Sequence, residues 1–85
     1  MFSSEVVVVL PADLHARPAG MLAKAAVAFA SEIRIEFGGK IVNPRGVLAV
    51  MALGATAGSV LTIRAEGQDA KEATAAIADL LRTSE

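Results

Sequence analysis

The chain has 85 residues, 54% of them apolar, and a formal net charge of −1 from eight basic and nine acidic side chains. That length builds one domain and one core, and the apolar fraction is enough to fold it. The near-balanced, dispersed charge gives no general field for nucleic acid or for an acidic membrane. No cysteine and one histidine exclude a disulfide framework and a cysteine-ligated or structural metal site, so no metal and no cofactor is expected.

The opening MFSSEVVVVL lacks a basic leader, and its apolar run is too short for a signal peptide or a membrane span. A cytoplasmic location without membrane insertion is the expectation. The β-branched run at 5–10 reads as a strand stopped by Pro11. From Ala16 to about Phe29, the residues Met21, Leu22, Ala25, Ala26 and Phe29 recur at helical spacing and form the expected buried stripe.

EIRIEF, at 32–37, alternates strictly, with Ile33, Ile35 and Phe37 toward a core and Glu32, Arg34 and Glu36 toward water. Gly38-Gly39 reads as a two-residue hairpin turn that returns 40–43 antiparallel. After the Asn43–Gly46 break, VLAVMAL at 47–53 reads as a short helix closed by Gly54. VLTIRAE at 60–66 alternates again, with Leu61, Ile63 and Ala65 inward. Asp69 and Glu72 have capping-box spacing at the start of a last helix, whose buried stripe is Ala70, Ala73, Ile77 and Leu80/Leu81. The order β-α-β-β-α-β-α, with one-sided strands and one-sided helices, predicts an α+β protein of two layers, an antiparallel sheet with all helices on one face.

The chemistry concentrates at LHARPAG, residues 14–20, which holds the only histidine. Pro18 fits the first turn of a helix, where its missing N–H costs no bond. With His15 as N-cap, the Ala16 and Arg17 amides point outward at the positive helix end and form an anion site. Arg17 adds a permanently charged fork suited to phosphate oxygens. An imidazole has an ordinary pKa of about 6.5, so it is largely a neutral nucleophile near pH 7. Together these are the requirements of an imidazole that accepts a phosphoryl group and gives it up again. The chain has no serine or cysteine nucleophile with a partner base, which argues against a self-contained hydrolase.

LHARPAG, with MFSSEVVV before it and SEIRIEFGGK and MALGATAGSVLTIRAEGQDAKEA after it, resembles the HPr family. These are the histidine-containing phosphocarriers of the bacterial phosphoenolpyruvate:sugar phosphotransferase system. The resemblance covers essentially the whole chain. It implies an open-faced β-sandwich with strand order 1-4-2-3. It implies phosphorylation of His15 on Nδ1, with Arg17 contacting the phosphoryl group. It also implies a carrier rather than a free-standing enzyme, with enzyme I as donor and sugar-specific IIA proteins or domains as acceptors. Partner docking in such proteins uses an apolar patch around the histidine. The matching positions are Ala16, Gly20, Val47, Leu48 and Met51, with Lys24 and Arg45 as basic rim. Val50 and Leu53 are expected in the core, and Leu48 and Met51 on the surface.

Two positions depart from the family pattern. Many members carry a serine just before the short helix, which a kinase phosphorylates in some bacteria; here Gly46 stands there and has no hydroxyl. The loop before the histidine often has glycine where this chain has Asp13, so any positive φ would fall on an aspartate. Asp13 is expected to face solvent. Two other readings remain open at this level: an HPr-like carrier in a nitrogen-related or regulatory relay, and a regulatory module that binds without covalent chemistry. No oligomer is expected, so the chain reads as a monomer.

Overall fold

In the computed structural model, residues 2–83 are described. Seven elements follow one another: β1 (Ser3–Val9), α1 (Ala16–Ala26), β2 (Glu32–Phe37), β3 (Lys40–Val42), α2 (Val47–Ala52), β4 (Val60–Glu66) and α3 (Ala70–Arg82). The strands form one antiparallel sheet in the order β1-β4-β2-β3. The register sets Val6 opposite Ile63, Ile63 opposite Ile35 and Ile35 opposite Val42, one apolar row across all four strands. A one-residue slip would turn that row into solvent, so the pattern fixes the pairing.

The helices lie on the face that carries this row. α3 packs on β1, β4 and β2, and α1 packs on α3 and α2. The buried cluster draws Val8 from β1, Leu22 from α1, Ile33 and Ile35 from β2, Val50 from α2, Leu61 and Ile63 from β4, and Ile77 and Leu81 from α3. The opposite face is open. There Arg64 bonds the carboxylates of Glu5 and Glu36, and Arg34 bonds Glu32. These exposed pairs solvate the face and add little stability.

The sheet turn and strand faces match the alternation, and the element ends differ in detail. β1 begins at Ser3 and ends at Val9, although the Leu10 N–H still donates to the Ser59 carbonyl and its carbonyl accepts from Gly58 N–H. Gly38 (φ 56°) and Gly39 (φ 82°) both take the left-handed conformation a type I′ hairpin turn requires. α1 ends three residues early, at Ala26. Ala28 and Phe29 donate to the Ala25 and Ala26 carbonyls, a tighter i→i−3 pattern that closes the helix before Phe29. Met21 is half-exposed at 50% and leaves the predicted stripe; Pro18, Ala19, Leu22 and Ala26 are the buried residues of α1. α2 ends at Ala52, with Leu53 as C-cap and Gly54 at φ 68° just beyond.

At α3 the capping-box expectation fails in its chemistry. Asp69 is the N-cap but makes no side-chain bond to its own helix. Its carboxylate accepts from the Ala30 N–H (2.8 Å), the Ser31 N–H (2.8 Å) and the Ser31 hydroxyl. Those three bonds, with Ser31 first, lower its pKa below the ordinary carboxylate value. Asp69 therefore fastens the start of α3 to the turn that enters β2.

Candidate functional site at the entrance of α1

α1 begins where the chain leaves Leu14. The Leu14 side chain is buried and its N–H donates to the Ala55 carbonyl (3.0 Å). The apolar anchor sets the next residue at the surface, and His15 is exposed. His15 is the N-cap, with extended backbone (φ −102°, ψ −166°) and no bond from its ring to the helix. Its carbonyl accepts the first helical bond, from Ala19 N–H (3.1 Å). Its own N–H donates back to the Asp13 carbonyl (3.2 Å).

The two amides that follow behave differently. The Ala16 and Arg17 N–H groups, exposed at the helix end, have no carbonyl acceptor among the described residues. Pro18, buried, brings no N–H at all, so the first turn has only these two open donors before Ala19 closes the ladder. The Arg17 side chain is exposed, as expected, and so is Ala16. A free imidazole, two open amides at a positive helix end and a guanidinium thus share three consecutive residues. The set can receive a tetrahedral anion carrying several oxygens.

α2 packs on α1, and exposed apolar side chains lie along the pair. Gly20 is half-buried, and a Cβ placed on it would meet nothing within 4 Å, so the surface above it is open. Leu48 is 81% exposed, and Met51 is exposed too. Val50 and Leu53 are buried, as expected. Val47 is partly buried and packs on the core, so it supports the patch from beneath.

The two rim cations occupy different places. Lys24 is exposed in the last turn of α1, about 13 Å along the axis from His15. The Arg45 guanidinium donates to the Phe29 carbonyl (3.0 Å), just past the C-terminal end of α1. At the other end of α2, Ala55 is bonded to Leu14 beside the histidine. α2 therefore runs back along α1, and Arg45 sits at the end of the patch away from His15.

Sequence reasoning missed two features here. The helical spacing puts Met21 on the buried stripe, yet it lies about 40° around α1 from Arg17 and belongs to the same exposed face. The helical period was visible in sequence; its phase was not. The second is Asp13. It is exposed, as expected, and no non-glycine residue among those described has positive φ, so its backbone is unstrained. Its carboxylate, however, is engaged, accepting from the Ala57 N–H (2.9 Å). Gly46 is the N-cap of α2 with φ −94° and ψ 101°, a conformation open to any residue. Among the described residues no helix is long and apolar enough to cross a membrane, and no group of acidic or histidine side chains is placed to hold a metal.

Residues 2–83 match the family model described as the PTS HPr component phosphorylation site. The chain is 42% identical over 73 residues to the phosphocarrier protein HPr of Buchnera aphidicola subsp. Acyrthosiphon pisum, covering 86% of each. Its structure resembles the crystal structure of an HPr from Bacillus anthracis (TM-score 0.83, 38% identity, 95% of this chain and 96% of that one). It also resembles an HPr from Thermoanaerobacter tengcongensis (TM-score 0.80, 36% identity, 95% and 91%). The strand order and the helical layer agree with that fold, and an HPr is a carrier of phosphoryl groups, not an enzyme. The chain belongs to the HPr family of phosphocarrier proteins of the phosphotransferase system.

Proposed function

We propose that His15 is the phosphoryl acceptor, charged on Nδ1 by phospho-enzyme I and discharged to IIA proteins or domains that serve sugar uptake and phosphorylation. The observation that carries this is the state of the helix entrance: an exposed imidazole without a capping bond, followed by two amides without acceptors. In the transfer, the Nδ1 lone pair attacks phosphorus while the donor's bond to phosphorus breaks and the donor keeps that electron pair. The Ala16 and Arg17 N–H groups take the equatorial oxygens, and the Arg17 guanidinium spreads their charge. The second transfer runs the same step in reverse with an acceptor in the donor's place.

Docking uses the exposed Leu48 and Met51 side chains, with Ala16 and Gly20 leaving room for the partner's own active site. Met51 adapts its shape to more than one partner. Residues 14–31 and 37–65 contain no acidic side chain, so Arg17, Lys24 and Arg45 face a partner without internal neutralisation by those segments. A partner with an acidic border would be steered onto this face. The carrier works as a monomer in the cytoplasm. The test is incubation with phosphoenolpyruvate and enzyme I, then intact mass and acid treatment. One added phosphoryl group, lost in acid, is the expected result; an unmodified chain or an acid-stable adduct contradicts the proposal.

A further inference from the structure

We infer that Asp13 is a positioning residue for phosphoryl transfer, its carboxylate and the Ala57 amide forming a tether that holds the His15 loop on the 55–59 turn. The inference rests on the phosphocarrier reading of His15. Four bonds join the two segments. Three are backbone bonds: Leu10 N–H to Ser59 carbonyl (2.9 Å), Gly58 N–H to Leu10 carbonyl (2.8 Å) and Leu14 N–H to Ala55 carbonyl (3.0 Å). The fourth, Ala57 N–H to Asp13 Oδ1 (2.9 Å), is the only one of the four made by a side chain.

Asp13 acts at both ends of its own residue. While its carboxylate holds Ala57, its carbonyl accepts the His15 N–H (3.2 Å). The backbone position of the imidazole is thus set through Asp13 against a neighbouring loop. Transfer depends on where the attacking nitrogen stands relative to the open amides, and misplacement by about 1 Å can cost up to about a hundredfold. The bond also fixes the direction of the carboxylate, toward Ala57.

The 55–59 turn offers a clean way to break the tether from the other side. Ser59 N–H donates to the Thr56 carbonyl (2.9 Å) and Gly58 has φ 88°. Those features make Thr56–Ser59 a type II turn with Ala57 at the second position, where proline is favoured. Ala57→Pro keeps the turn and removes the N–H. Asp13→Ala removes the acceptor, and Asp13→Asn keeps an acceptor oxygen without the charge.

The experiment measures initial rates of phosphoryl transfer from enzyme I over a range of carrier concentrations, with amide hydrogen exchange at Ala57 in wild type, Asp13→Ala and Asp13→Asn. Asp13→Ala and Ala57→Pro should lower kcat about tenfold with KM unchanged, because the docking surface is untouched. Asp13→Asn should stay within about twofold of wild type. Wild-type kcat in Asp13→Ala, or a change in KM alone, overturns the inference. So does equal exchange of the Ala57 amide in wild type and Asp13→Ala, which would show no tether in solution. That second readout needs no phosphoryl transfer, so failure of the tether is distinguishable from failure of the phosphocarrier reading, in which wild type itself takes up no phosphoryl group.

Discussion

Gly67 lies so close to Ser31 that a Cβ on the glycine would stand 2.5 Å from Ser31 Oγ and 2.7 Å from Ser31 Cα. Gly67 also has φ 147°, which side-chain-bearing residues rarely adopt. The neighbouring Cα is backbone and cannot swing aside. Gly67→Ala should therefore destabilise the protein by about 2 kcal/mol or more, read as a lower denaturant midpoint in urea. Ser31→Gly in the same chain should restore little of it, because the contact with Cα remains. A midpoint equal to wild type would show that the β4–α3 junction yields easily.

The same junction makes stability sensitive to acid. The Asp69 carboxyl has its pKa lowered by the Ser31 hydroxyl and the Ala30 and Ser31 amides. A group with a depressed folded-state pKa contributes stability above its unfolded value, near 3.8, and loses it as pH falls through the folded value. The denaturant midpoint of wild type should fall as pH drops below about 4. Asp69→Asn, which cannot titrate, should have a lower midpoint at pH 7 and a flatter profile below pH 4. Parallel profiles for the two proteins would contradict the assignment.

At α2, a Cβ on Gly46 would touch Ala49 Cβ at 3.4 Å and the Asn43 carbonyl at 3.6 Å, ordinary contacts, and φ is −94°. Nothing in the backbone requires glycine. Gly46→Ser should raise stability by a few tenths of a kcal/mol, since its hydroxyl can cap α2. Thermal unfolding of the two proteins checks it, and a fall in Tm would show that the site is tighter than its contacts indicate.

Leu48, 81% exposed, gives up almost no burial when shortened. Leu48→Ala should change stability by less than about 0.5 kcal/mol while raising KM for enzyme I several-fold. An unchanged KM would remove Leu48 from the docking surface.

How much of this the sequence shows depends on how local each determinant is. The hairpin is written in Gly38-Gly39, and the sheet faces in the alternation of 32–37 and 60–66, because each reports a neighbour in the chain. The proposed phosphoryl site is also local: His15, Ala16, Arg17 and Pro18 are consecutive, so their placement at a helix entrance can be read directly. What stayed hidden comes from distant parts of the chain. Asp69 has cap spacing, but its carboxylate is claimed by Ser31, 38 positions earlier. Arg45 is tied to Phe29, and Asp13 to Ala57, 44 positions away. Met21 fits a helical period at the wrong phase, because Pro18 and Ala19 define the buried side, and small residues give a weak hydrophobic signal.

The role proposed for Arg17 can be tested apart from folding. Its side chain is exposed, so Arg17→Glu should leave the unfolding midpoint within about 0.5 kcal/mol of wild type. It should also reduce phosphoryl acceptance by two orders of magnitude or more, roughly what loss of one oxyanion donor costs, with added charge repulsion. Stopped-flow transfer from phospho-enzyme I measures it, and a normal rate would remove Arg17 from the site.

The most direct measurement is NMR of the chain carrying 15N-labelled histidine, before and after charging with phosphoenolpyruvate and enzyme I. One imidazole is present, so every ring signal belongs to His15, and couplings to the ring C–H protons tell Nδ1 from Nε2. The expected result is phosphorus coupling at Nδ1 of His15, its disappearance in acid, and a folded His15→Ala protein that takes up no phosphoryl group. Phosphorylation of folded His15→Ala, or an imidazole spectrum unchanged by charging, would contradict the account.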